Sequence, residues 1–157
     1  SSKGGFYTHF KTKEELLFNM LPLVDDAYNS FLKMDIKAET VTDKIALFIN
    51  YVFNTIAKEI GLEFISAIYA SQIKDLTTER FLISSERAYY HVVAILIEEG
   101  MAKNEIKTEL SIEHTINLFT SCIRGVIYDW CLHKGNFDLA AYGGEIIDMM
   151  LNQIKAK

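Results

Sequence analysis

An all-α fold is predicted, on three observations. Half of the residues are hydrophobic while only one proline and eight glycines occur, a profile of ordered helical chains. Helix-opening residues recur in front of apolar stretches of period 3.6. No segment sustains period-two alternation bounded by hairpin turns.

Each element can be justified in order. Ser2 to Phe10 reads as a compact helix, with Phe6 and Phe10 one turn apart on an apolar side. Thr12 and Glu15 have capping-box spacing before Leu16, Leu17 and Met20, so a helix is expected from there to about Lys33, bent at Pro22. Thr42 and Asp43 should open the next, with Ile45, Ile49, Val52, Phe53 and Ile56 on one face. Gly61 separates it from a helix over about Leu62 to Lys74. Thr78 is expected to start another, carrying Phe81, Ser85, Ala88, Tyr89, Val92 and Leu96 and closing at Gly100. Ser111 should cap a helix reaching about His133, and Asp138 a last one running nearly to the C-terminus.

No run of about 18 uncharged apolar residues suggests a membrane span, and no basic-then-apolar leader is present, so a cytoplasmic protein is expected. If Cys122 and Cys131 share a helix, their separation puts them on opposite faces, and two free thiols are the expectation. The net charge of −5 conceals a division: Lys3, Lys11 and Lys13 lie in an acid-free first thirteen residues, leaving 13 basic against 21 acidic side chains beyond. A basic tip on an acidic body points to the tip as the part that meets a polyanion.

That tip carries a recognisable pattern. A helix beginning with a hydroxyl, a lysine and two bare glycines can approach a DNA backbone and base edges closely. The run Ser2-Lys3-Gly4-Gly5-Phe6-Tyr7-Thr8-His9-Phe10-Lys11-Thr12-Lys13-Glu14-Glu15-Leu16-Leu17 resembles the signature of the TetR (tetracycline-repressor-like) family of transcriptional regulators. It is similar to that family's recognition helix, the turn after it and the start of the connecting helix. Gly125 to Trp130, followed by Asn136-Phe137-Asp138-Leu139, is similar to the penultimate-to-last helix junction of AcrR-like members.

The resemblance implies an architecture: residues 1–33 as the C-terminal part of a helix-turn-helix DNA-binding domain, residues 34–157 as a helical ligand-binding and dimerisation domain. It implies operator DNA as a partner, contacted by Ser2, Lys3, Gly4, Gly5, Tyr7, Thr8, His9 and Lys13, with Phe6 and Phe10 as core. The two helices that precede this motif in the family are not in the sequence, and DNA binding is expected to require them. The implied function is that of a ligand-responsive repressor, released from DNA by a small hydrophobic or aromatic effector. A dimeric helical small-molecule-binding module without DNA binding is the alternative.

Phe48, Tyr51, Phe64, Tyr69, Tyr89 and Tyr90 are the candidates for an effector pocket, offering apolar faces with polar tips. Such rings in an acidic domain also suit hydrophobic cations. Ser121 and Gly125 on one helix, and Ala140 and Gly144 on the next, have the four-residue spacing that permits close helix approach, and the family resemblance places a homodimer interface there. Enzymatic chemistry is not expected: His9, His91, His114 and His133 include no zinc-binding i, i+4 pair, there is no Cys-x-x-Cys, and no nucleophile elbow or phosphate loop occurs. No metal or cofactor is expected.

Overall fold

The computed structural model describes residues 13–77 and 79–157, with positions 13, 14, 17 and 18 described by backbone alone. Among these residues the secondary structure is helical, apart from one isolated bridge between Ile106 and Lys155. α1 spans Lys13–Phe31 with Pro22 inside it, and buries Leu16, Tyr28 and Phe31. α2 spans Val41–Asn54 and buries Val41, Ile45, Phe48, Ile49, Val52 and Phe53 on one stripe. Its N-cap is Thr40, whose hydroxyl accepts from the Asp43 N–H at 3.1 Å, while Thr42 is buried one turn inside. The start expected at Thr42 was therefore late, because Thr40 and Thr42 both offer a capping hydroxyl and only Thr40 sits outside the first turn.

After Asn54 the helix widens into a π-helical segment, Thr55–Ile60, closed by the Gly61 N–H donating to the Ile56 carbonyl at 2.8 Å. Gly61 has φ +86°, a left-handed value open to glycine at little cost. The chain turns there by 104° into α3, Leu62–Lys74. Then comes the main departure from expectation. No helix begins near residue 78: a loop with a single 3-10 turn, Phe81–Ile83, leads to α4, Ala88–Ala102. The reason is tertiary. Gln72 on α3 donates to the Glu79 carbonyl at 2.8 Å and accepts from the Leu82 N–H at 3.3 Å, and Arg80 donates to the Asp75 carbonyl at 2.6 Å. Side chains thus satisfy backbone groups that a helix would otherwise pair internally.

α4 is the central helix, with Val92, Val93, Leu96 and Ile97 all fully buried. It runs two residues past Gly100, and the left-handed residue beyond its end is Asn104, φ +58°. Gly100 has a packing role instead: a Cβ there would press into Ile106. α5, Ile112–Leu132, is capped by Ser111, and α6, Leu139–Ile154, by Asp138, each accepting a backbone N–H in the first turn. α4 packs against α1, α2 and α5, while α6 packs against α2 and α5. The close α2–α6 contact depends on Gly143, where a Cβ would collide with the buried Phe53 ring. Cys122 and Cys131 are free.

No single helix among the described residues is long and apolar enough to cross a membrane.

Candidate functional site

The helices line a partly open apolar chamber of about 130 Å³ between α1, α2, α3, α4 and α5. α1 contributes Met20, Leu21, Val24 and Tyr28. Val52, Ile56 and Ile60 come from α2 and the π-helical segment, and Phe64, Ile65, Ile68 and Tyr69 from α3. The π-helical widening matters here, since its longer turn changes the angular register at which Ile56 and Ile60 follow Val52. Phe81 and Leu82, from the loop held by Gln72, close one side, and Ile123 and Ile127 of α5 close another.

Polar groups are few and concentrated at one end. The Tyr89 hydroxyl is hydrogen-bonded to Thr120 Oγ1 at 3.1 Å, and Thr120 Oγ1 also donates to the Ile116 carbonyl at 2.7 Å. Burial raises the Tyr89 phenol to about 12, against smaller opposing effects of the Thr120 hydrogen bond and the Arg124 charge. Burial likewise pushes the Tyr28 and Tyr69 phenols well above the ordinary tyrosine value, so all three are neutral.

Two arginines reach this lining, in different circumstances. Arg87 is neutralised: its Nε donates to both carboxylate oxygens of Asp25 at 3.0 Å and its Nη2 lies 2.9 Å from Oδ1. Its guanidinium also stands 5.7 Å from the centre of the Phe81 ring. This pair ties α1 to the start of α4. Arg124, on α5, donates from Nη1 to the Leu82 carbonyl at 3.1 Å, and no described carboxylate lies within ion-pair distance of it.

Next to the chamber lies a second cavity of about 320 Å³, sharing Leu82, Ser84, Tyr89, Thr120 and Arg124 with it and adding Tyr90, Asn117 and Ser121. The first is strongly apolar and the second richer in polar groups, with Arg124 in the wall common to both.

The candidates from the sequence divide accordingly. Phe64, Tyr69 and Tyr89 line the chamber and Tyr90 the second cavity. Tyr51 faces a separate groove between α1 and α2. Phe48 lines neither cavity: it is fully buried against Phe31, at 5.1 Å between ring centres, Tyr28 at 5.8 Å and Tyr89 at 6.2 Å. Its position on the innermost face of α2 makes it a brace behind the site. The preference for hydrophobic cations does not fit, because neither cavity is lined by a carboxylate and both are lined by Arg124. Tyr28, Phe81, Arg87 and Arg124 were not anticipated; an arginine on an otherwise apolar stripe of α5, between Ile123 and Ile127, was the available signal.

Ser2, Lys3, Gly4, Gly5, Tyr7, Thr8 and His9 lie outside the described residues, and Lys13 enters only as the first backbone position of α1. Among the described residues no group of histidine, cysteine and carboxylate side chains is arranged to hold a metal ion. Ser121 and Gly125 are exposed, and Ala140 and Gly144 half-buried, on the outer sides of α5 and α6.

The described residues form an all-helical body around an apolar chamber, with α1 as one of its walls. The family model for the YsiA-like protein, C-terminal region, matches residues 21–153; the chain belongs to the TetR family of transcriptional regulators. It is similar to the fatty acid metabolism regulator protein of Bacillus subtilis (strain 168), with 22% identity over 155 residues, covering 98% of this chain and 79% of that protein. No solved structure matches the chain.

Proposed function

We propose that the chain is the effector-binding and dimerisation part, residues 34–157, of a ligand-responsive repressor, joined to the end of a DNA-binding domain in residues 1–33. The observation that carries this reading is the placement of α1. Its N-terminal end continues directly from the segment that resembles a recognition helix, and its Met20, Leu21, Val24 and Tyr28 form one wall of the chamber. An occupant of the chamber touches the element that aims the DNA-binding unit. Pro22 lies within that wall, where a missing N–H leaves the helix easier to bend. Filling the chamber tilts α1, alters the spacing of two recognition helices in a dimer, and breaks simultaneous contact with half-sites about one DNA turn apart.

The lining is mainly aliphatic and aromatic, which suits an apolar effector. The Bacillus relative is named for regulating fatty acid metabolism, and an aliphatic effector derived from a fatty acid agrees with this chamber. A second copy of the chain completes the regulator. Leu118, Ser121, Gly125, Tyr128 and Leu132 recur every three or four residues along α5, all exposed, and Tyr142 and Met149 are exposed on α6. This stripe fits a four-helix interface between two copies.

The test uses the protein with a complete helix-turn-helix and its operator. Effector affinity is measured by calorimetry with and without operator DNA. DNA should weaken effector binding by the same factor that effector weakens DNA binding. Equal effector affinities in the two titrations would leave the sites uncoupled, and the repressor reading would fail.

A further inference from the structure

The two arginines of the site differ in a way that bears on the chemistry of its occupant. Both stand beside an apolar chamber, where an unpaired charge is disfavoured. Arg87 meets this by bidentate pairing with Asp25. Arg124 has one backbone carbonyl, that of Leu82, for five N–H donors. Neither cavity that it lines contains an aspartate or glutamate. Glu113 stands on the same helix, but it is eleven positions from Arg124, about 16 Å of helix rise. The guanidinium thus keeps most of its hydrogen-bonding capacity at the boundary between the apolar chamber and the more polar cavity beside it.

We propose that Arg124 is the counter-ion for the anionic head group of an amphiphilic effector, whose aliphatic tail occupies the apolar chamber. The inference rests on the effector reading above and specifies the head-group chemistry. Around Arg124 the shared wall offers one further donor suited to an oxyanion, the Ser84 hydroxyl, beside the Tyr89 and Thr120 hydroxyls that are bonded to each other. Asn117 and Ser121 continue this polar lining outward. Carboxylate and phosphate both match a guanidinium fork. A neutral head can accept a hydrogen bond from Arg124 but cannot balance its charge, and a quaternary ammonium head can do neither.

The test compares four probes of one tail length on the full chain by calorimetry, below their micellar concentrations at neutral pH. These are hexanoate, hexyl phosphate, hexan-1-ol and hexyltrimethylammonium, whose tails match the chamber's volume. At least one of the two anions should bind the wild-type chain roughly tenfold to a hundredfold more tightly than the alcohol, the range expected of charge-assisted hydrogen bonds. The tighter anion identifies the head group as carboxylate or phosphate. In Arg124→Gln that advantage should vanish while alcohol binding stays unchanged, which also reports that the variant is folded. Arg124→Lys should retain part of it, keeping the charge without the fork. If the alcohol or the ammonium probe binds wild type as well as either anion does, the head-group inference is overturned and the chamber reading stands. Retention of the full anion preference by Arg124→Gln overturns it equally. If no probe binds, the chamber reading fails and the inference fails with it.

Discussion

Tyr28, Tyr69 and Tyr89 show how single residues tune this site. Each places a ring in the chamber wall and keeps its phenol away from water, so burial raises all three. In the unfolded chain the same phenols ionise near 10. Between the two values the folded chain holds more protons, and its stability must fall as pH rises. The stabilisation is complete below pH 10 and is lost as pH climbs through about 12. Chemical denaturation midpoints measured across this interval should drop with pH, and Tyr89→Phe should flatten the decline by removing one ionising group. An unchanged slope in Tyr89→Phe would mean that its phenol is not held neutral by the fold.

Among the elements, the loop between α3 and α4 has the most consequence, since it supplies Phe81 and Leu82 to the chamber and the carbonyl that orients Arg124. Gln72 of α3 bonds to it through each side of its amide group. Gln72→Leu would keep the bulk and remove both bonds, leaving the Glu79 carbonyl and the Leu82 N–H without their partner. A cost of about 1–3 kcal/mol is expected for such groups where they remain buried. Hydrogen exchange should therefore accelerate over residues 79–83 while α4 keeps its protection. Protection of that segment equal to wild type would show that the loop is held by its apolar contacts alone.

At the scale of the whole molecule, one long face along α5 and α6 is exposed among the described residues. Gly125 and Gly144 lie there, and a Cβ at either would meet nothing within 4 Å. Neither glycine is needed for packing within the chain, although glycine costs a helix interior about 1 kcal/mol relative to alanine. Close approach by a second copy, as proposed above, would supply a reason. Gly125→Leu combined with Gly144→Leu should leave the helical content of the chain intact and convert a dimer to monomer in light scattering. A dimer that survives both substitutions would have its interface elsewhere. Gly143, one position away, behaves oppositely: its neighbour is Phe53, so substitution there would damage the fold and would say nothing about assembly.

The all-helical class, and the starts of α3, α5 and α6, were legible in the sequence because they are local. Gly61, Ser111 and Asp138 act within a turn or two of their own position, and apolar periodicity needs no knowledge of partners. Family membership was legible from the N-terminal run and agrees with the match over residues 21–153. The start of α4 was not, because Thr78, Ser84 and Ser85 are compatible with a helix and what prevents it is Gln72 on α3, together with Arg80 and Asp75. Gly143 and Gly144 are adjacent and equivalent by composition; only the packing of α6 on α2 decides which of them touches Phe53. The site divides in the same way. Sequence pattern nominated aromatic residues, of which Phe64, Tyr69 and Tyr89 line the chamber while Phe48 backs it. Two arginines of similar local character became different objects through tertiary structure alone: Asp25, sixty-two residues from Arg87, was brought to one of them and no described carboxylate to the other. Charge pairing across such distances in sequence depends on the packing of α1 against α4, which no local signal encodes.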